Sequence, residues 1–237
     1  TFSWNNTAHM EAYLAIPSMG AIMHTINVRL SAEHMAYVIN HAQDRIIILD
    51  ASLQSVLEPV LPMLTSVEHI LLVGDQPISV TTEVPVSRYQ QLLAGSDDAY
   101  AWPELDETSA AAICYTSGTT GNPKGVVYSH RTTFVHSMAS RASDTFGISE
   151  HDRILLLPPM FHANSWGLPY SGWFSGSDFI MPGPPLQPAG IKDMVRASQP
   201  TITAMVPTIL GDLLRASDEE GFDMSSFRML VCGGSAV

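Results

Sequence analysis

Short apolar runs of strand length alternate along this chain with segments that have helical periodicity. Residues 46–49 and 70–73 are continuous apolar runs, and each is followed by a helical pattern or a turn. The predicted strands are 20–26, 45–49, 69–73, 110–115, 126–128, 153–157, 179–181, 201–206 and 228–232, and the predicted helices are 31–42, 52–64, 89–94, 131–144, 190–198 and 207–216. Because apolar strands separated by helices are typical of βαβ units, the pattern predicts a doubly wound α/β fold, with parallel-type sheets covered by helices.

Capping residues and prolines predict where two of these helices begin and end. Ser31 can cap the helix that continues to about residue 42, and Asp50 can cap the next one. Pro59 and Pro62 interrupt the apolar period of 52–64, so we expect that helix to be kinked or shortened.

The chain carries few charges, and most of them are acidic. It has 11 Lys+Arg against 23 Asp+Glu, a formal net charge of -12, and 14 % charged residues among 237. A disordered polyampholyte would carry more charge, and a nucleic-acid or anionic-membrane partner would require a basic cluster that the sequence lacks. No apolar run approaches the ~20 residues of a transmembrane helix. We therefore expect no nucleic-acid partner and no transmembrane segment, and any phosphate ligand must be held by local donors.

The ends of the chain and its two cysteines bear on its origin. The chain begins at Thr1 without a methionine or a signal-peptide pattern, and it stops at Val237 just after a predicted strand, so we expect truncation at both ends. Cys114 and Cys232 each lie within an apolar run, which predicts buried thiols rather than a disulfide. This usage indicates a reducing compartment, and we expect a cytoplasmic protein.

One segment concentrates the chemistry that the sequence displays. Residues 115–126 read Tyr-Thr-Ser-Gly-Thr-Thr-Gly-Asn-Pro-Lys-Gly-Val and lie between two predicted strands. Glycines let backbone N–H groups converge on phosphate oxygens, while the Ser and Thr hydroxyls and the ammonium of Lys124 add donors. A solvated hairpin loop is the alternative, but Lys124 is one of only two lysines, the other being Lys192, which weakens a role in solubility alone. The segment predicts a phosphate-binding loop.

The spacing of this loop excludes the common phosphate-binding and hydrolase motifs. A Walker A loop places its lysine at a helix N-terminus, whereas Lys124 follows Pro123 and leads into a β-branched strand. The chain also lacks a G-x-G-x-x-G fingerprint, a G-x-S-x-G nucleophile elbow and an H-E-x-x-H metal motif.

The loop closely resembles that of the adenylate-forming (AMP-binding) superfamily, which includes acyl-CoA synthetases, luciferases and nonribosomal-peptide adenylation domains. Residues 127–131 (Val-Tyr-Ser-His-Arg), 159–170 (Pro-Met-Phe-His-Ala-Asn-Ser-Trp-Gly-Leu-Pro-Tyr) and 231–236 (Val-Cys-Gly-Gly-Ser-Ala) extend the resemblance. The second of these segments is similar to the medium- and long-chain fatty-acyl-CoA synthetase branch in particular. The resemblance covers the whole chain, and the loop is its most specific part.

The resemblance implies an AMP-forming acid–thiol ligase. Such enzymes join a carboxylate, here a fatty acid, to ATP with release of pyrophosphate, and then transfer the acyl group of acyl-AMP to coenzyme A, with Mg²⁺ as cofactor. The implied ligands of the β- and γ-phosphates are Ser117, Gly118, Thr119, Thr120, Gly121 and Lys124, with Lys124 also catalytic. Thr116 is implied to bind both the nucleotide and Mg²⁺.

The resemblance also assigns roles to three places outside the loop. It implies that His162 orients the acyl carboxylate or stabilises charge there, and that Trp166 gates the fatty-acid tunnel. The turn that borders the acyl pocket and the adenine is implied to be Gly233, Gly234, Ser235 and Ala236. From the residues alone, the alternatives are a packed, hydrogen-bonded histidine, core packing of Trp166 with Trp173 and Phe174, and an ordinary strand-to-helix turn.

Several motifs of the superfamily do not occur in the 237 residues. These are the Tyr-Gly-x-Thr-Glu motif, the aspartate for the ribose hydroxyls and the lysine of the small C-terminal domain. We therefore expect residues 1–237 to be part of the large N-terminal AMP-binding domain, truncated at both ends and inactive alone. The resemblance leaves the oligomeric state of the full-length enzyme open, with a homodimer as one option because dimers are common in the fatty-acyl branch. Another adenylate-forming ligase for an aryl or amino acid, or a non-catalytic nucleotide-binding module, remains as an alternative, and the acyl chain length is not predicted.

Overall fold

The computed structural model describes residues 1–116, 121–184 and 187–234. The chain divides into two compact units. Unit 1 contains Thr1–Trp4, Ala8–Arg131 and Met160–Asn164, and unit 2 contains Asn5–Thr7, Thr132–Pro159 and Ser165–Val237.

One sheet of unit 1 is wholly parallel and supplies much of that unit's core. It consists of β2 (Ile46–Asp50), β3 (His69–Val73) and β4 (Val86–Arg88), in that order. Four of its side chains, those of Ile47, Leu49, Ile70 and Leu72, are fully buried, as the apolar runs predict. The helices that lie mainly in this unit are α1 (Thr7–Ser18), α2 (Ala32–Ala42), α3 (Gln54–Leu57) and α4 (Tyr89–Ala94).

The capping residues and prolines act as the sequence predicts. The hydroxyl of Ser31 accepts a hydrogen bond from the N–H of His34 at 3.3 Å, which caps α2. The carboxylate of Asp50 accepts one from the N–H of Ser52 at 2.9 Å and caps a 3₁₀ turn. The helix predicted over 52–64 is divided into this turn, α3 and a second 3₁₀ turn, because Pro59 and Pro62 cannot continue an α-helix.

The second sheet of unit 1 contains the hairpin that flanks the predicted phosphate loop. Its strands are β1 (Met23–Thr25), β5 (Ala110–Thr116) and β6 (Lys124–Ser129), in the order β1-β5-β6. β5 runs parallel to β1 and antiparallel to β6, so β6 is an edge strand of this sheet as far as the chain is described. Lys124 therefore begins a strand rather than a helix, as its neighbours in the sequence predict.

Unit 2 is built on a four-stranded parallel sheet. The strands are β7 (Arg153–Leu155), β8 (Asp178–Ile180), β9 (Ile202–Met205) and β10 (Met229–Cys232), in the spatial order β10-β9-β7-β8. The helices are α5 (His130–Ser140), whose residues from Thr132 onward belong to this unit, α6 (Leu168–Ser175), α7 (Pro188–Ser198) and α8 (Pro207–Glu220). Leu155, Val195, Met205 and Leu213 lie in its apolar core.

A buried carboxylate joins three segments of unit 2. Asp152, which is 2 % exposed, accepts hydrogen bonds from Nε and Nη2 of Arg228, each at 2.7 Å. It also accepts from the hydroxyl of Thr201 at 2.7 Å and from the N–H of Ser149 at 2.9 Å. The loop before β7 is therefore tied to the residues that precede β9 and β10.

The α/β class predicted from the sequence is confirmed, and the structure corrects its details. The strands of the described residues form three sheets, two of them wholly parallel as predicted, whereas the β5–β6 pair of the third is antiparallel. Three elements were not predicted, namely α1, β4 and α6.

Candidate functional site

The hairpin of β5 and β6 brings two of the predicted site residues together. Thr116 is the last residue of β5 and Lys124 is the first of β6, and the two are directly paired across the antiparallel ladder. Cα atoms of such pairs lie about 4.5–5.5 Å apart. Both side chains are exposed. The predicted residues between them, Ser117, Gly118, Thr119 and Thr120, lie outside the described residues.

The two lysines of the chain have different surroundings. Lys192 in α7 pairs with Glu220 at 2.6 Å. Within the described ranges, Lys124 has no carboxylate partner. The ammonium of Lys124 is therefore available to an anionic ligand at the end of the hairpin.

Beneath the hairpin, a buried tyrosine connects β5 to α2. Tyr115 precedes Thr116, is 8 % exposed and belongs to the core of unit 1. Its hydroxyl lies 2.6 Å from Nδ1 of His41. Burial raises the pKa of the Tyr115 phenol, and Asp44 and Tyr37 raise it further, so the hydroxyl keeps its proton. We assign the hydroxyl as the donor and Nδ1 of His41 as the acceptor, which requires the imidazole tautomer protonated on Nε2.

The side chain of His162 is exposed on a segment whose neighbours are anchored in unit 1. The hydroxyl of Tyr13 donates to the carbonyl of Met160, and the ring of Phe161 packs edge-on against Trp4 with centroids 6.1 Å apart. The Thr25 hydroxyl donates to Oδ1 of Asn164 at 3.3 Å. His162 lies between these anchors and is exposed, which contradicts the alternative of a packed histidine.

The segment that follows His162 has an unusual backbone. Five consecutive residues, 163–167, have positive φ, from 46° at Ala163 to 75° at Gly167, and form a left-handed 3₁₀ turn. Residues other than glycine seldom adopt this conformation even singly, because their Cβ then crowds the following carbonyl oxygen. The turn therefore fixes the direction of the Trp166 side chain at an energetic cost.

In unit 2, Trp166 lies against the glycine pair that follows β10. A Cβ placed on Gly233 would be 3.2 Å from Cη2 of the Trp166 indole, so the absence of a side chain there makes room for the ring. Trp173 and Phe174 are 61 % and 39 % exposed, and Phe174 packs edge-on against Phe134, so neither belongs to a buried core. Gly234 has φ +94°, and the predicted Ser235 and Ala236 lie outside the described residues.

Gly167 ends the left-handed turn, and replacing it with alanine is expected to destabilise the fold by about 2 kcal/mol. It has φ +75°, and an added Cβ would lie 2.5 Å from Cε1 of His136. The matched control is Gly211→Ala in α8, where no heavy atom lies within 4 Å of the added Cβ. That change is expected to stabilise the fold by about 0.5–1 kcal/mol through helix propensity. Urea unfolding of both variants measures these two changes in stability. An unfolding midpoint for Gly167→Ala at or above that of the unmodified chain would show that the alanine is not strained at this position.

The described residues provide neither a clustered metal site nor a disulfide. Across 1–116, 121–184 and 187–234, no three His, Cys, Asp or Glu side chains are grouped so as to hold a metal ion. Cys114 is buried, as predicted, whereas Cys232 is only half-buried, and both are free thiols. No helix in these ranges combines the length and apolarity required to cross a membrane.

Comparison with known proteins identifies the family. A family model described as AMP-binding enzyme matches residues 1–237. The chain belongs to this AMP-binding enzyme family. It is 40 % identical over 237 residues to a 3-methylmercaptopropionyl-CoA ligase of Ruegeria pomeroyi and 40 % identical over 237 residues to a medium-chain-fatty-acid–CoA ligase of Ectopseudomonas oleovorans. These alignments cover 100 % of the AMP-binding chain but only 44 % and 43 % of the two relatives, so the chain spans less than half the length of the curated relatives it matches.

A solved structure supports the fold of the AMP-binding chain. An anthranilate CoA ligase in complex with anthranoyl-AMP superimposes with a TM-score of 0.86, over 99 % of this chain and 45 % of that one. The sequences are 22 % identical, so this likeness bears on the fold alone.

The sequence did not reveal the contacts that hold the candidate site residues in place. Tyr115 and His41 are 74 residues apart, and the pairing of Trp166 with Gly233 and of His136 with Gly167 is equally non-local. The available signal was a histidine in the last turn of the helix predicted over 31–42, and a histidine there does not indicate a partner on another element.

Proposed function

We propose that the chain is part of the N-terminal domain of an ATP-dependent fatty-acid–CoA ligase, which forms acyl-AMP and pyrophosphate and then the acyl-CoA thioester. The observation that carries this proposal is the pairing of Thr116 and Lys124 at the ends of the loop in a member of the AMP-binding family. The names of the two 40 % identical relatives, both CoA ligases, support the reaction class.

In the first step, a carboxylate oxygen of the acid forms a bond to the α-phosphorus of ATP. The bond from that phosphorus to the oxygen bridging the β-phosphorus breaks, and pyrophosphate leaves with its electron pair. No proton is transferred, so the site needs cations and donors rather than a general base. Lys124 and the loop donors, including Ser117, Gly118, Thr119, Thr120 and Gly121, would stabilise the negative charge on the departing pyrophosphate.

His162 and Thr116 would serve the same step at other atoms. The exposed imidazole of His162 would orient the acid's carboxylate, which is repelled by the phosphates of ATP. The hydroxyl of Thr116 is a hard oxygen donor, and a Mg²⁺ ion bound there would take its other ligands from phosphate oxygens and water, as Mg²⁺ commonly does. When bound, that ion neutralises phosphate charge.

In the second step, the sulfur of coenzyme A attacks the acyl carbon, the thiol proton is released and AMP leaves. Trp166, which lies against Gly233, would gate the acyl tunnel. Gly233, Gly234, Ser235 and Ala236 would border the acyl pocket and the adenine. We further propose a cytoplasmic enzyme, supported by its two free thiols, which acts on small molecules as a homodimer.

The acid itself has two candidates. One relative is named for medium-chain fatty acids and the other for 3-methylmercaptopropionate, at the same 40 % identity. The first candidate is a medium or long fatty acid. The second is a short thioether acid.

Carboxylate-dependent ATP–pyrophosphate exchange by the full-length enzyme that contains this chain tests the proposal. The panel runs from butyrate to stearate and includes 3-methylmercaptopropionate, benzoate and a mixture of amino acids. We expect exchange with at least one aliphatic acid, and formation of its CoA thioester on addition of coenzyme A. Exchange with benzoate or amino acids alone would indicate another adenylate-forming ligase, and no exchange with any acid would contradict the proposed reaction.

A further inference from the structure

Tyr115 occupies the position from which both ends of the phosphate loop can be fixed. It lies in β5 next to Thr116, and its ladder partner in β6 is Gly125, next to Lys124. A shift of this one side chain would therefore move Thr116 directly and Lys124 through the neighbouring strand.

Gly125 brings β6 directly onto the tyrosine ring. A Cβ at Gly125 would lie 3.2 Å from Cζ of Tyr115 and 2.9 Å from Cδ1 of Ile113, closer than a side chain could approach without displacing its neighbours. The backbone that follows Lys124 thus packs on the face of the Tyr115 ring, and this contact is possible because residue 125 is glycine.

His41 binds the hydroxyl that Cζ of the Tyr115 ring carries. Its Nδ1 accepts the hydrogen bond from the Tyr115 hydroxyl at 2.6 Å. The imidazole stacks on Tyr37, four residues earlier in α2, with centroids 5.3 Å apart and an interplanar angle of 26°. This stack limits rotation of the imidazole, so the acceptor nitrogen is held in place even though His41 is itself exposed.

A second histidine limits the sideways movement of the ring. His24 in β1 lies with its ring centroid 5.0 Å from that of Tyr115, and its Nδ1 is 2.7 Å from Oδ2 of Asp44. The phenol is therefore enclosed by side chains from β1 and α2 and by the backbone of β6.

We propose that the hydrogen bond between Tyr115 and His41 positions Thr116 and Lys124 for the phosphates of ATP, which makes both Tyr115 and His41 positioning residues. The proposal rests on the proposed function for its substrate. A tyrosine that only filled the core would need no hydroxyl, and phenylalanine would serve equally well. Here the hydroxyl has a partner that is oriented by its own stack, which is the arrangement expected of a residue that must hold one position.

Kinetics of the full-length enzyme test this proposal with three variants. Tyr115→Phe removes the hydroxyl and His41→Leu removes the acceptor, and each is expected to raise KM for MgATP about five- to tenfold, which corresponds to the loss of one hydrogen bond. KM for the acid is expected to remain within about twofold. In the proposed reaction the acid contacts the α-phosphate, whereas the hairpin binds the β- and γ-phosphates. His41→Asn places an amide oxygen near the position of Nδ1 and is expected to restore KM for MgATP.

Two further measurements separate positioning from general destabilisation. The double variant Tyr115→Phe/His41→Leu is expected to match either single variant, because both remove the same interaction. His34→Leu, at another exposed histidine of α2, is the matched control and is expected to leave both KM values unchanged. An unchanged KM for MgATP in Tyr115→Phe and His41→Leu, or an equal rise in both KM values, would overturn the proposal.

Calorimetric titration with MgATP alone keeps this test distinct from that of the proposed function. If the unmodified enzyme binds MgATP but activates no acid, the proposed function fails, and the positioning role is decided by whether the two variants raise Kd for MgATP. If the unmodified enzyme does not bind MgATP, both proposals are overturned.

Discussion

Lys124→Ala in the full-length enzyme is expected to lower carboxylate-dependent ATP–pyrophosphate exchange at least tenfold. A tenfold loss corresponds to about 1.4 kcal/mol of lost transition-state stabilisation. This loss is smaller than the roughly 3–4 kcal/mol that a single donor to developing negative charge can contribute, so the ammonium of Lys124 can account for it. The chain has only 11 Lys+Arg. Lys124 begins β6 with its side chain exposed, and it is the one Lys or Arg in the ladder of β5 and β6 as far as the chain is described.

The chain's other lysine provides the matched control for this measurement. Lys192→Ala removes the same charge from α7, where the ammonium is paired with Glu220 at 2.6 Å, and is expected to leave exchange unchanged. Lys124→Arg retains the charge in a different geometry and is expected to recover only part of the activity. Equal exchange rates for Lys124→Ala and the unmodified enzyme would remove Lys124 from the reaction.

Asp152→Asn is expected to destabilise unit 2 by about 3 kcal/mol. The substitution leaves Arg228 without the carboxylate that accepts from both its Nε and Nη2, and removing one partner of a buried ion pair commonly costs about 3–5 kcal/mol. We expect the lower end of that range because the Arg228 side chain is partly exposed and keeps its hydrogen bonds to the carbonyls of Phe146 and Gly147. Urea unfolding measures the loss of stability. The control is Asp193→Asn, in an exposed ion pair with Arg196, which is expected to change the free energy of unfolding by less than about 0.5 kcal/mol.

The same carboxylate makes stability depend on pH in a defined window. Burial alone would raise the pKa of Asp152, but the hydrogen bonds from Arg228, Thr201 and Ser149 prevail and lower it from 3.8 to about 2. Because the folded pKa lies below the unfolded one, the contribution of about 2 kcal/mol is complete above pH ~4 and is lost as the pH falls toward 2. Asp152→Asn is expected to flatten the stability profile in this window. An identical profile for the variant would show that other carboxylates carry the acid sensitivity.

Local signals in the sequence predicted most of the elements, because strands and caps are specified by neighbouring residues. The apolar run at His69–Val73 is a strand with the predicted bounds, and Ser31 and Asp50 cap the segments that they were expected to cap. α6 was missed because Pro169 and Gly172 lie inside it, and β4 because it is only three residues long. The division of the strands into three sheets depends on pairings between distant segments, which local periodicity does not contain.

The sequence predicted which residues make up the candidate site, but not which residues contact them and hold them in place. The pattern around Lys124 predicted a phosphate loop, and the structure places Thr116 opposite that lysine. The Tyr115 hydroxyl, the His41 imidazole and the Gly125 backbone meet through tertiary packing, so their association is visible only in three dimensions. The left-handed turn at 163–167 was equally hidden, because four of its five residues are not glycine and favour other conformations when considered singly.

The edge position of β6 has a consequence for handling the protein in the laboratory. Val126 and Val127 are 39 % and 58 % exposed on a strand whose outer N–H and C=O groups face away from β5, and such strands template pairing with other chains. Lys124 at its first position is the kind of charged residue that discourages this aggregation. The lysine that is proposed to bind phosphate would thus also keep the hairpin from assembling into intermolecular sheets, and expression yield has to be weighed alongside activity whenever this position is changed.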